Sequence, residues 1–233
     1  MFYITGDKHG NFLKVQEFCL QMHTKRSDTL IVLGDAGINY YLDSRDEILK
    51  KRLSKLQITL FCIHGNHEER PYNIQAYEIK KFNGGKVYYQ KEYPNILFAK
   101  DGEIYNFDGK SCIVLGGAYS VDKEYRILKG YAWFENEQPN AQIKRFAKKQ
   151  LEKINWNIDI VLSHTAPFKY EPREWFLPMV DQTRVDKTTE KWLGEIESNL
   201  QYKKWYIGHF HGQKVIKKDD GDIIFMYNDF SVL

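Results

Sequence analysis

Leu60-Phe61-Cys62-Ile63-His64-Gly65-Asn66-His67-Glu68 runs from an apolar, strand-like segment straight into an amide, an imidazole and a carboxylate. A tight turn needs the glycine and accepts the asparagine. It has no use for the histidine and the acid. The same transition recurs along the chain. Met1–Ile4 leads into Thr5-Gly6-Asp7-Lys8-His9-Gly10, and Thr29–Leu33 into Gly34-Asp35-Ala36-Gly37. Ile158–Leu162 leads into Ser163-His164-Thr165-Ala166-Pro167, and Trp205–Ile207 into Gly208-His209-Phe210-His211-Gly212. In open α/β sheets, sites assemble at the carboxyl ends of strands. Five of the seven histidines fall at these tips.

The rest of the chain supplies the layers around such tips. Further strand-like runs occupy Ser111–Leu115 and Ile223–Tyr227, and Glu103–Leu115 reads as a hairpin around Asp108-Gly109. Helical spacing marks four segments. These are Val15, Phe18, Cys19 and Met22 behind an Asn11 cap; Leu49, Leu53 and Leu56; Ile143 to Ile154 behind Pro139 and Asn140; and Trp192 to Leu200. The alternation predicts a layered α/β protein with mixed sheets, one domain spanning residues 1–233. Two stretches, Tyr119–Gln138 and Ala166–Asp186, exceed ordinary connections and invite a functional reading.

Composition narrows the classes. The chain has 233 residues, 42% hydrophobic and 28% charged, with a net charge of +3. Lysine pairs are scattered and accompanied by acids, which argues against a dedicated nucleic-acid face. Three isolated cysteines without CxxC spacing exclude a disulfide framework and a disulfide-linked partner. No apolar run is long enough to span a membrane, and the N-terminus lacks a signal-peptide pattern. The expectation is a soluble, cytoplasmic protein; no pattern specifies an oligomer.

Seven side chains at the tips have metal-ligand chemistry: Asp7, His9, Asp35, Asn66, His164, His209 and His211. If Asp35 bridges two ions, Asp7, His9, Asp35 and His211 serve one, while Asp35, Asn66, His164 and His209 serve the other. Residues two apart in extended chain point to the same side, so Asp7-x-His9 and His209-x-His211 would each converge. Nitrogen and oxygen donors without thiolate favour Mn²⁺, with Fe, Zn or Ni as alternatives. Two such ions about 3.5–4 Å apart suit phosphate-ester hydrolysis by a water held between them. A glycine-asparagine-histidine-acid block arises by chance about once in 10⁵ positions. Turn capping alone does not account for five such tips.

The blocks GDKHG, GDAG, GNHE, SHTAP and GHFHG resemble the calcineurin-like metallophosphoesterase superfamily over residues 5–212. They look closest to small bacterial or phage enzymes with GD-x-G and a Gly116-Gly117-Ala118 step. The resemblance implies a four-layer α/β/β/α sandwich and agrees with the ligand set above. It makes His67 the general acid, with Asp35 the bridging catalytic carboxylate and Glu68 an orienting group. The substrate would be a phosphate mono- or diester: a phosphorylated small molecule, a nucleotide (dinucleoside polyphosphates included) or a phosphoprotein. The protein-phosphatase branch carries an Asp and an Arg where this chain has Ile38 and Asn39. That leaves Glu68, Asp43 or Asp46 to orient His67, and Arg45 or Arg70 to clamp phosphate. It also opens a rival reading, a non-catalytic binding protein on the same fold.

Overall fold

The computed structural model describes residues 1–233. In chain order, the first elements are β1 (Phe2–Thr5), α1 (Leu13–Gln21), β2 (Thr29–Val32), α2 (Ser44–Leu53) and β3 (Thr59–Cys62). Then come β4 (Glu78–Phe82), β5 (Gly85–Tyr89), β6 (Ile96–Ala99), β7 (Ile104–Phe107) and β8 (Lys110–Leu115). The remainder comprises α3 (Lys123–Lys129), α4 (Ala141–Lys153), β9 (Ile160–Ser163), α5 (Thr188–Glu197), β10 (Lys204–Ile207), β11 (Lys214–Ile216), β12 (Asp222–Phe225) and β13 (Ser231–Val232).

Each sheet is built the same way. The first runs β13-β1-β2-β3-β6-β5-β4, the second β11-β12-β10-β9-β8-β7. Four parallel strands form each centre, and antiparallel strands close the edges. Buried parallel strands read as continuous apolar runs, which is why all seven strand-like runs of the sequence appear as strands. Inner faces meet through Ile31, Phe61 and Leu97 of the first sheet and Tyr105, Phe107 and Leu162 of the second. Helices α1 and α2 cover the outer face of the first sheet through Val15, Leu49 and Leu53. Helices α4 and α5 cover the second through Ala147, Leu151, Trp192 and Ile196. The result is the expected four-layer α/β/β/α sandwich.

Register aligns the tips. Thr5 pairs with Val32 and Val32 with Cys62, while Leu115 pairs with Ser163 and Ser163 with Ile207. The loops leaving these strands therefore emerge side by side. The sheets join there through backbone: Gly6 N donates to Tyr227 O at 3.1 Å. A side chain on Gly6 would overlap the Met226 carbonyl, and one on Gly208 would overlap Leu33 O and Asp7 Oδ1.

Some local expectations change. Helix α1 starts from Phe12 without a side-chain cap; Asn11 Oδ1 instead accepts from Leu13 N at 3.2 Å. Asn140 does cap α4, accepting from Gln142 N and Ile143 N. Strand β4 (Glu-Ile-Lys-Lys-Phe) is an edge strand with little buried surface, so it has no apolar signature. The stretch Tyr119–Gln138 contains α3, and Ala166–Asp186 is a chain of short 3₁₀ turns. No helix is long and apolar enough to cross a membrane, and all three cysteines are free thiols.

Two changes test these packing arguments. Phe61 is fully buried between the sheets, with Tyr105 and Phe107 edge-on at 4.9 and 5.2 Å. Phe61→Ala should cost about 3–5 kcal/mol, read by urea unfolding. Glu190 on α5 is buried and accepts from Thr165 Oγ1 at 2.9 Å, tying α5 to the tip of β9. Burial pushes its carboxyl up to about 7 from an ordinary value of 4.5. Between those values the folded state keeps a proton that the unfolded chain releases, so stability falls as pH rises through that window and is flat above it. Glu190→Gln should remove a decline of about 3 kcal/mol. An unchanged pH slope in urea unfolding would contradict the assignment.

Candidate metal centre

The two buried carboxylates are held alike. His209 N donates to Asp7 Oδ1 at 2.9 Å, and His67 N donates to Asp35 Oδ1 at 2.8 Å. The other oxygen of each, Oδ2, is buried and has no hydrogen-bond partner. His211 Nε2 lies 3.2 Å from Asp7 Oδ2, and His164 Nε2 lies 3.6 Å from Asp35 Oδ2. His9 Nε2 is 3.8 Å from both free oxygens. Burial alone would raise the Asp35 pKa, but His164, His67 and His9 outweigh it and hold the carboxyl well below the usual range.

The imidazoles also direct lone pairs inward. His164 Nδ1 donates to Leu33 O at 2.7 Å, which leaves Nε2 as the acceptor. That nitrogen faces Asn66 Oδ1 at 2.9 Å, while Asn66 Nδ2 donates to Ser120 Oγ at 2.9 Å. His9 Nε2 and His211 Nε2 stand 2.9 Å apart. Desolvation keeps the His209 imidazole neutral, its pKa down to about 3. Close acceptors and orphaned buried carboxylate oxygens are costly without a cation among them. Asp7, His9 and His211 form one group able to hold an ion, and Asp7, Asp35 and His164 a second. The donor set fits divalent metal.

Backbone conformation differs from the extended-pair expectation. His9, Asp35, His209 and His211 have φ of 44°, 46°, 65° and 49°, in the left-handed region that side chains rarely adopt. This costs of order 1–3 kcal/mol each, a strain typical of functional sites. Asp7 and His9 nonetheless converge on one group with His211. Gly65 also has a different reason from turn formation. Its φ is ordinary, but a Cβ there would overlap Asp35 Oδ1 and its backbone nitrogen.

The residues proposed to assist His67 lie elsewhere. Glu68 is fully buried and accepts from Gly65 N at 3.0 Å; it braces the turn and does not touch His67. Burial pushes its carboxyl up to about 8. Asp43 caps α2, accepting from Arg45 N at 2.9 Å, and Asp46 accepts from Tyr41 N and Leu42 N. Arg70 points away from the cluster: Nε donates to Asn136 O at 2.7 Å and Nη1 pairs with Asp101. Arg45 does line a cleft beside His9 and His67, stacked 3.7 Å from the Tyr41 ring. Ile38 is core and Asn39 Oδ1 accepts from Tyr77 OH at 2.8 Å, so neither faces the site.

The cation beside His67 is Arg126, from α3 in the long Tyr119–Gln138 stretch. Its Nη2 lies 3.4 Å from His67 Nε2, Nη1 donates to Tyr40 OH at 3.0 Å, and Nε pairs with Asp122 at 2.8 Å. The length of that stretch is its only signal along the chain; no motif singles out the arginine. Asn66 Nδ2 also lies 3.2 Å from His67 Nε2. Desolvation is the main influence lowering the His67 pKa, opposed by Asp35 and reinforced by Arg126.

A family model described as calcineurin-like phosphoesterase matches residues 1–227. No curated protein matches the chain. Among solved structures, a protein of Thermus thermophilus aligns with TM-score 0.52 and 13% identity, over 96% of this chain and 87% of its own. The Plasmodium protein GAP50, the anchor in the inner membrane complex, aligns with TM-score 0.52 and 13% identity. That alignment spans 97% of this chain and 70% of GAP50. Likeness at this identity concerns the fold alone.

Gly65→Ala tests the close approach of the two loops. The added methyl must displace Asp35, so affinity for Mn²⁺ should fall at least tenfold by calorimetry while far-ultraviolet circular dichroism stays unchanged. Unaltered affinity would contradict it.

Proposed function

Because the chain belongs to the calcineurin-like phosphoesterase family, we propose that it hydrolyses phosphoesters with a dinuclear metal centre. The observation that supports this reading is the pair of buried, unpartnered oxygens on Asp7 and Asp35, ringed by imidazole nitrogens. Asp7, His9, Asp35 and His211 would hold one divalent ion; Asp35, Asn66, His164 and His209 would hold the other. Nitrogen and oxygen donors favour Mn²⁺, with Fe, Zn or Ni as alternatives. Such ions supply Lewis acidity toward phosphoryl oxygens and acidify water when bound.

The protein's own groups then have distinct tasks. The pinned oxygens fix both carboxylates in place, so little reorganisation accompanies reaction. His67 stands at the rim with its Nε2 toward Arg126. In its protonated form it gives a proton to the leaving oxygen as the P–O bond breaks and water oxygen bonds to phosphorus. Arg126 is braced by Tyr40 and Asp122, so its remaining nitrogen is placed to bind a phosphoryl oxygen next to His67. The non-catalytic reading draws on the missing pair at Ile38 and Asn39; the intact donor set and Arg126 favour an enzyme.

Chelator-stripped protein titrated with Mn²⁺ should hydrolyse p-nitrophenyl phosphate or its bis-ester. Asp35→Asn should abolish turnover, whereas full activity in that variant would overturn the proposal. His67→Gln should retain metal binding and lose about 10²–10⁴-fold in rate. The loss should be greater for an alkyl ester than for p-nitrophenolate, which leaves without a proton. Equal losses for both leaving groups would remove His67 from the acid role.

A further inference from the structure

Two clefts of opposite character share His67 in their walls. One, of about 500 Å³, is walled by His9, Tyr40, Tyr41, Arg45, Arg52 and Arg126. The other, of about 360 Å³, is walled by Trp175, Phe176, Leu177, Val180 and Phe210 and reaches Asp35, Asn66, His209 and His211. His67 borders both.

Their charges differ as sharply as their polarity. In the first cleft the only acid is Asp46, and its carboxylate is already taken by Tyr41 N and Leu42 N. Arg52 is exposed, and the sole hydrogen bond of its side chain goes to Gly10 O at 3.3 Å. Asp43 occupies Nε and Nη2 of Arg45, leaving Nη1 free. Planar guanidinium forks match phosphate oxygens. In the second cleft the only cation is Lys187, paired with Glu171 at 2.6 Å and lying over the Phe176 ring. Away from Asp35, Asn66, His209 and His211 it has no unpaired side-chain cation for an anion, but it offers aromatic faces.

A phosphomonoester has a single organic substituent, whereas the two clefts that meet at His67 offer room for two. We propose, resting on the phosphoesterase reading above, that the substrate is a small phosphodiester with two unlike substituents. One is aromatic or otherwise apolar and sits against Trp175, Phe176 and Phe210. The other carries a second phosphate bound by Arg52 and Arg45. Hydrolysis adds water across one P–O bond: oxygen from water joins phosphorus, and the departing oxygen leaves with a proton.

The test compares thymidine 5′-(p-nitrophenyl phosphate) with the same compound bearing a 3′-phosphate, using Mn²⁺-loaded protein. The 3′-phosphate should raise kcat/KM at least tenfold, and Arg52→Gln combined with Arg45→Gln should erase that increment. Arg145→Gln on α4, which borders neither cleft, should leave it in place. Phe176→Ala should lower kcat/KM for the aryl diester relative to its methyl counterpart. An increment near unity, or one indifferent to the two arginines, overturns the bipartite substrate while bis-ester turnover keeps the enzyme reading. Calorimetry with thymidine 3′,5′-bisphosphate against the 5′-monophosphate separates the reverse case. If no ester is turned over, an arginine-dependent preference for the bisphosphate upholds the subsite and overturns hydrolysis. Equal affinities with no turnover overturn both.

Discussion

Two carboxylates, each with one oxygen fixed by a backbone N–H and the other buried and unpartnered, set the terms for the rest of this molecule. Asp7 is held by the loop after β10 and Asp35 by the loop after β3, so each sits where separate strand tips meet. Uncompensated carboxylate oxygens in such a place are destabilising. A divalent ion among Asp7, Asp35 and the imidazoles would offset that cost. The register of the strands, the left-handed residues and the glycines at close approach all serve this arrangement.

Those glycines show how the constraint spreads into the backbone. Gly65 makes room for Asp35, Gly34 for the His164 ring, and Gly208 for Asp7 and Leu33. The sandwich is thus tightest at one edge, where side chains from both sheets must reach a common point. His164 illustrates the coupling: it follows β9 of the second sheet, yet its Nδ1 donates to Leu33 at the end of the first. Rigid strands deliver donors that loops alone would place less well.

The periphery follows a different rule. Arg126, Tyr40 and the aromatic 3₁₀ segment stand on connections outside the parallel core, and they give the two clefts beside His67 their contrasting surfaces. The centre and the walls of the clefts thus come from different parts of the chain. Glu68 is instructive here. It follows His67 in sequence, but the chain turns it inward to brace Gly65, and the neighbouring charge comes from α3 instead.

By itself the sequence determined the sandwich, and it brought out the Asp, Asn and His residues that the strand tips carry. Apolar runs of strand length, glycine-marked tips and the repeated Asp, Asn and His residues are local patterns, and burial of parallel strands makes them continuous and readable. Edge strand β4 stayed hidden because an exposed edge has no need of apolar residues. Only the tertiary structure decided the company His67 keeps. Arg126 approaches it across 59 positions, while Arg70, three residues away, turns to Asp101 in the interior. Proximity in sequence fixes a side chain's neighbours along a strand or helix; at a strand tip the chain reverses, and packing between elements chooses which groups meet.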